Sequence, residues 1–181
     1  MNRTVQAILS LVLLGILVTL PASIQAQITS KSANVTLSAT VADSISLNVS
    51  TGNVSFSLVP GTGPTAGSSS VNLNSLWSVS GSQTMSVWGY FANAASALTD
   101  GNGNAIPPSH VLVDINGAGP AALTGTGPAG GAGAGMPFLQ MPVAGSGNEE
   151  DTLDLLIDLT AQPNLPTGTY TGILTLQARA M

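Results

Sequence analysis

Cysteine is absent from all 181 residues. That excludes disulfides and the thiolate ligands of ordinary zinc sites. It also excludes the lipid attachment of a bacterial lipoprotein, so stability must come from packing. Charge is scarce as well, at 6% of the chain. After residue 26 the basic residues are Lys31 and Arg179 alone, against eight acidic ones. Nucleic-acid binding needs clustered Lys and Arg to neutralise phosphates, and a polybasic membrane patch needs the same. Neither is here. There is one histidine, His110. One His and no Cys cannot make a normal zinc site. A hydrolase triad needs that His beside a nucleophile and a carboxylate. Ser109 adjoins it and Asp114 follows, but no Gly-x-Ser-x-Gly elbow exists. The chain reads as a non-enzyme without cofactors.

The first residues are a different text. Arg3 precedes an apolar run from Ala7 to Leu20, which Pro21 breaks. A short basic region, an apolar stretch of about fourteen residues and a small residue before the cut describe a secretory signal, expected as a helix. The run falls short of the roughly twenty residues a membrane span needs. Cleavage is expected after Ala26, with Ala22 as the other candidate. Residues 27–181 are then one exported domain, periplasmic, extracellular or on the cell surface, with no membrane span after cleavage.

Period-two alternation fills that domain. Val35, Leu37, Ala39 and Val41 share one parity, which Ile45, Leu47 and Val49 continue beyond Asp43. Val54, Phe56 and Leu58 form another face. Val71, Leu73, Trp77 and Val79 precede Ser80–Gln83, a hairpin-type turn. Met85, Val87, Gly89 and Phe91 then oppose Trp88 and Tyr90. His110–Ile115 is a short strand. Residues 117–135 are rich in Gly, Ala and Pro and read as a flexible surface loop rather than a core element. Met136–Val143 carries Pro137 and Pro142, which suit an edge. Leu153, Leu155, Ile157 and Leu159 favour a strand over a helix. Tyr170, Gly172, Leu174, Leu176 and Ala178 line one face of a last strand. Seven or eight short strands with no helix after the signal indicate an all-β, antiparallel, Ig-like β-sandwich.

The stretch Leu165–Ala178, LPTGTYTGILTLQA, and the stretch Asn34–Leu47, NVTLSATVADSISL, resemble the closing and opening segments of spore-coat-protein-U-like subunits and archaic chaperone–usher pilins. That resemblance implies a secreted bacterial subunit that assembles by strand addition, with itself or another surface subunit as partner. The family usually carries early cysteines, and this chain has none. The residues themselves say that Pro166 and Gly168 build a turn. Tyr170 then stands either as a tyrosine corner or as a plain core aromatic.

Three candidate sites remain. Val35, Leu37, Ala39 and Val41 are a candidate donor strand, unless they begin one long first strand within their own domain. Trp88 and Tyr90 are a candidate outward aromatic surface for a glycan or a protein interface, provided the opposite parity is buried. Asp100, Asn102 and Asn104 space oxygen donors as a calcium loop begins, but Val111 stands where that loop needs Glu. An Asp-Gly/Asn-Gly turn is the competing reading. The acidic stretch 148–151, with Asp154 and Asp158, reads as solvated strand face and loop.

Overall fold

The computed structural model describes residues 33–181. The expected signal peptide and both cleavage positions lie outside these residues. The contacts divide the chain into Met1–Ala39 and Thr40–Met181. Residues 33–39 of the first unit are exposed and in no strand.

The second unit is all-β. Its strands are β1 (Ser44–Val49), β2 (Thr65–Ala66), β3 (Val71–Phe91), β4 (Leu98–Thr99), β5 (Ala105–Ile106), β6 (Val111–Ile115), β7 (Ala121–Ala122), β8 (Ala134–Ile157) and β9 (Thr175–Ala180). Every pairing among them is antiparallel. The order β1-β3-β8-β6-β7 forms one sheet, with β2 also on β8 and β9 also on β3, and β4–β5 stand apart. The arrangement is a β-sandwich-like all-β fold.

Its spine is the ladder between β3 and β8, and here the sequence reading needs correction. Ser80–Gln83 does not turn the chain. β3 runs through it for 21 residues. The Val79↔Gly145 pair is followed directly by Ser82↔Ala144, so Ser80 and Gly81 form a bulge. Gly81 takes a φ of 94° there, which a side chain would resist. A Ser-Gly pair makes a bulge as readily as a turn; the long facing strand decides between them.

A second bulge lies between Val87 and Trp88, whose partners are Leu139 and Pro137. Phe138 is the extra residue, and it turns inward and is buried. Its ring covers Gly89 so closely that a Cβ there would sit 1.9 Å from ring carbon Cζ. Gly89 is thus the socket of this aromatic.

The main cluster gathers Leu73, Val87, Phe91, Ile106, Val113, Leu123, Leu153, Ile157 and Leu159. A smaller one beside the first bulge joins Val79, Met85 and Val143, with Trp77 and Met141 packed against them. Leu123 is fully buried, and β7 with a 3-10 turn (Pro128–Gly130) lies in the same region. The stretch 117–135 therefore supplies a core residue, contrary to expectation. Its Gly-rich composition hides one leucine that matters. The expected strand forms over Leu153–Ile157, as the end of β8, while Leu159, though buried, lies beyond it.

β8 also absorbs Met136–Val143. Among the described residues, β6 covers its outer edge only over residues 153–157, and Gly125 bridges to Gly135. Pro137 and Pro142 therefore sit on an edge stretch, as their missing N–H groups require.

Candidate functional site

Three short segments surround an apolar trough. The first is β1, whose Leu47 and Val49 face it. The second is Val54–Leu58. It alternates half-buried Val54, Phe56 and Leu58 with exposed Ser55 and Ser57, as a strand should. Yet it joins no ladder among the described residues. Ser55 bonds Ser68, through its N–H to Ser68 Oγ at 3.1 Å and its carbonyl from Ser68 N–H at 2.8 Å. Val54, Phe56 and Leu58 have only their side chains engaged. The third is Tyr170–Leu176, leading into β9. Among the described residues β9 ladders with β3 alone, from Tyr90↔Thr175 to Met85↔Ala180.

The trough has two connected parts, of 570 Å³ and 710 Å³, which share Asn53, Val54, Phe56, Leu98 and Gly172 as walls. Its floor includes buried Val71, Phe91, Val111 and Ile157. Ile173 on its rim is 80% exposed. The buried apolar floor thus lies beside Val54–Leu58, which joins no ladder among the described residues, and beside Tyr170–Leu174, whose backbone bridges only from Thr171 to Thr99 there.

Local chemistry fixes the walls. Tyr170 Oη donates to Pro166 O at 2.9 Å, so the tyrosine corner is formed. The ring also packs on the main core, and burial, followed by the charge of Asp100, raises the phenol above its usual value. Both readings of Tyr170 therefore hold at once. Leu174, Leu176 and Ala178 pack inward on the same cluster as expected. At the start of β1, Asp43 accepts Ser80 N–H at 2.8 Å and Gln83 Nε2–H at 2.9 Å. The Ser80 side chain foremost, then its N–H and Gln83, hold the carboxyl below the ordinary value. Asp43, which interrupts the alternation in sequence, pins the chain to the β3 bulge.

The candidate donor strand is not paired. Val35, Leu37 and Val41 are 81%, 89% and 86% exposed, Ala39 is exposed too, and none lies in a strand. The alternative of one long first strand is not realised, because strand structure begins at Ser44.

Trp88 and Tyr90 occupy the parity opposite buried Val87, Gly89 and Phe91 and are half-buried. Neither belongs to a core cluster. Trp77 does pack inward, with its ring over Gly147, although its Nε1 has no partner.

Asp100, Asn102 and Asn104 form a closed turn. Asp100 Oδ1 accepts the N–H groups of Asn102 (2.8 Å) and Asn104 (3.1 Å), and Oδ2 accepts Asn104 Nδ2–H at 2.7 Å. These bonds, Asn104's side chain foremost, lower the Asp100 pKa. Amide hydrogens fill the positions a cation would need, so the calcium pattern resolves as a turn with positive φ at Gly101 and Gly103. Among the described residues no group of three His, Asp or Glu side chains could hold a metal.

His110 Nδ1 lies 2.6 Å from the carbonyl of Asp158, and Asp114 accepts Gly119 N–H at 3.0 Å. The two serve separate loops, and no triad forms. The acidic stretch lies within β8 rather than a loop. Asp151 is buried and accepts Asn116 Nδ2–H at 2.8 Å, while Thr152 N–H donates to Asn116 Oδ1 at 2.8 Å. Asn116, at φ 53°, thereby ties the end of β6 to β8. Asp158 accepts the hydroxyl and N–H of Thr160, and the hydroxyl bond leads in lowering its pKa.

Comparison with protein-family models, curated proteins and solved structures finds no match for this chain. The walls at Leu47, Leu98 and Leu174 carry no signal of their own in sequence. Each looks like any core leucine until the trough it borders is seen in the fold.

Proposed function

We propose that this protein is a non-enzymatic exported subunit that assembles by strand addition. The observation that carries this reading is a complementarity. One region offers an apolar trough flanked by Val54–Leu58, a segment that joins no ladder among the described residues. Another offers an alternating apolar segment, Val35–Val41, exposed along its length. In strand addition, main-chain hydrogen bonds supply affinity and the alternate side chains fill pockets. The occupant of the trough is the Val35–Val41 segment of a second copy. The contact is head-to-tail and does not close on itself, so copies add in series. Low charge favours this, since few ions lose water on assembly.

Size-exclusion chromatography with light scattering on residues 27–181 tests the reading. Oligomers that grow with concentration are expected, and Leu37→Asp reduces them to monomers. A heat-resistant monomer at every concentration overturns it.

A further inference from the structure

The trough leaves another surface unexplained, the outward face of the sheet around the second half of β3. We propose that this face is a binding platform for a polysaccharide bearing carboxylated sugars. The ladder register places three rows across it. Arg179, Ser86 and Gln140 form one, Gln177, Trp88 and Pro137 the next, and Thr175, Tyr90 and Gly135 the third, with Ser86 and Gly135 buried among their neighbours and the rest reaching solvent.

The centre of this array is aromatic. Trp88 and Tyr90 are two residues apart on one strand face, so they stand about 7 Å apart, on the order of one pyranose unit. They pack on neither core cluster. Pro137 and Gly135 beside them put no bulky side chain over the rings. Gly135 can carry none, because a Cβ there would lie 2.5 Å from Tyr90 Cβ. Aromatic faces of this kind stack on the apolar faces of sugar rings, and sugar hydroxyls need donors and acceptors at the sides. Gln140 and Gln177 are exposed there and offer both.

The charge narrows the ligand. Arg179 is the only lysine or arginine in residues 33–181, and it sits on this face. The three rows contain no carboxylate. The side-chain contact of its guanidinium is a weak one, Nη2 to Met181 Sδ at 3.8 Å. A guanidinium with open donors next to stacked rings recognises a planar carboxylate bidentately. In a chain otherwise acidic, that places the anion-accepting group beside the sugar-stacking groups.

The test is calorimetric titration of residues 27–181 with uronate oligosaccharides, and in parallel with neutral oligosaccharides of the same length. The expected result is tighter binding of the uronate series. Trp88→Ala and Tyr90→Ala each weaken it by about tenfold, and Arg179→Gln abolishes the preference over neutral chains. Self-association through Val35–Val41 stays unchanged in all three, so the two surfaces fail or hold separately. Should Trp88→Ala not fold, Gln177→Ala and Gln140→Ala take its place, each expected to weaken binding by about threefold. Absence of uronate binding, equal affinity for neutral chains, or full binding by the aromatic and glutamine variants overturns the proposal.

Discussion

Val35–Val41 and Leu174–Ala178 are written in the same grammar. Each alternates apolar residues with Thr, Gln or another small or polar residue, and each would pass as a half-buried strand. One is exposed and unpaired; the other packs on the core and ladders with β3. The difference lies outside both segments. Leu176 faces Gly89 across a ladder anchored by a 21-residue strand. Val35–Val41 has no such edge among the described residues. Alternation thus specifies a face, and only an available edge decides whether that face is buried.

The sharpest way to break this comparison is to attack the edge the last strand uses. Gly89→Val drives a side chain into the Phe138 ring and should cost at least about 3 kcal/mol. Urea denaturation should show the whole domain destabilised, β9 included; a midpoint within error of wild type would mean that Phe138 has another place to go. The two segments can then be compared directly. Leu176→Ala should cost about 2 kcal/mol in the same assay. Leu37→Ala should change dilute-protein stability by under about 0.5 kcal/mol. Equal costs would show that Leu37 is buried in solution. A smaller effect is expected at the corner that starts the last strand. Tyr170→Phe keeps the ring but loses the bond to Pro166, and the melting midpoint should fall by a few degrees.

The smallest effect concerns pH. Asp43, Asp100 and Asp158 have carboxyls held below their ordinary value by hydrogen bonds that the charged form accepts. A folded pKa below the unfolded one gives stability that is present above the unfolded pKa. It is lost as pH falls through the folded value. Melting midpoints should therefore decline below about pH 4, and Asp43→Asn should flatten part of that decline. An unaltered acid profile in Asp43→Asn would mean that the Ser80 bond does not persist in solution.

Much of the fold is legible in the residues. Alternation identifies an all-β domain, the prolines at 137 and 142 mark an edge, and the Pro-Thr-Gly-Thr-Tyr run announces the corner at Tyr170. What escapes reading depends on partners distant in sequence. Ser80-Gly81 has the composition of a turn, and only the unbroken β8 opposite makes it a bulge. Leu123 is lone among small residues, so no period reveals its burial. Asn116 and Asp151 are separated by 35 residues and meet only in the folded chain. At the candidate site, Val54, Phe56 and Leu58 show their pattern plainly. That they join no ladder among the described residues is a property of topology, which no local pattern records.

The prolines of β8 have a consequence for the shape of any assembly. A strand edge recruits neighbours only if it can both give and receive hydrogen bonds. The outer stretch of β8 is interrupted at Pro137 and again at Pro142, so that flank of the domain lacks two of the N–H donors a neighbouring strand would need. In the strand addition proposed above, each copy gives one segment and accepts one, a valency of two. Units of valency two string into threads rather than spreading into mats, so a thread is the form this proposal predicts.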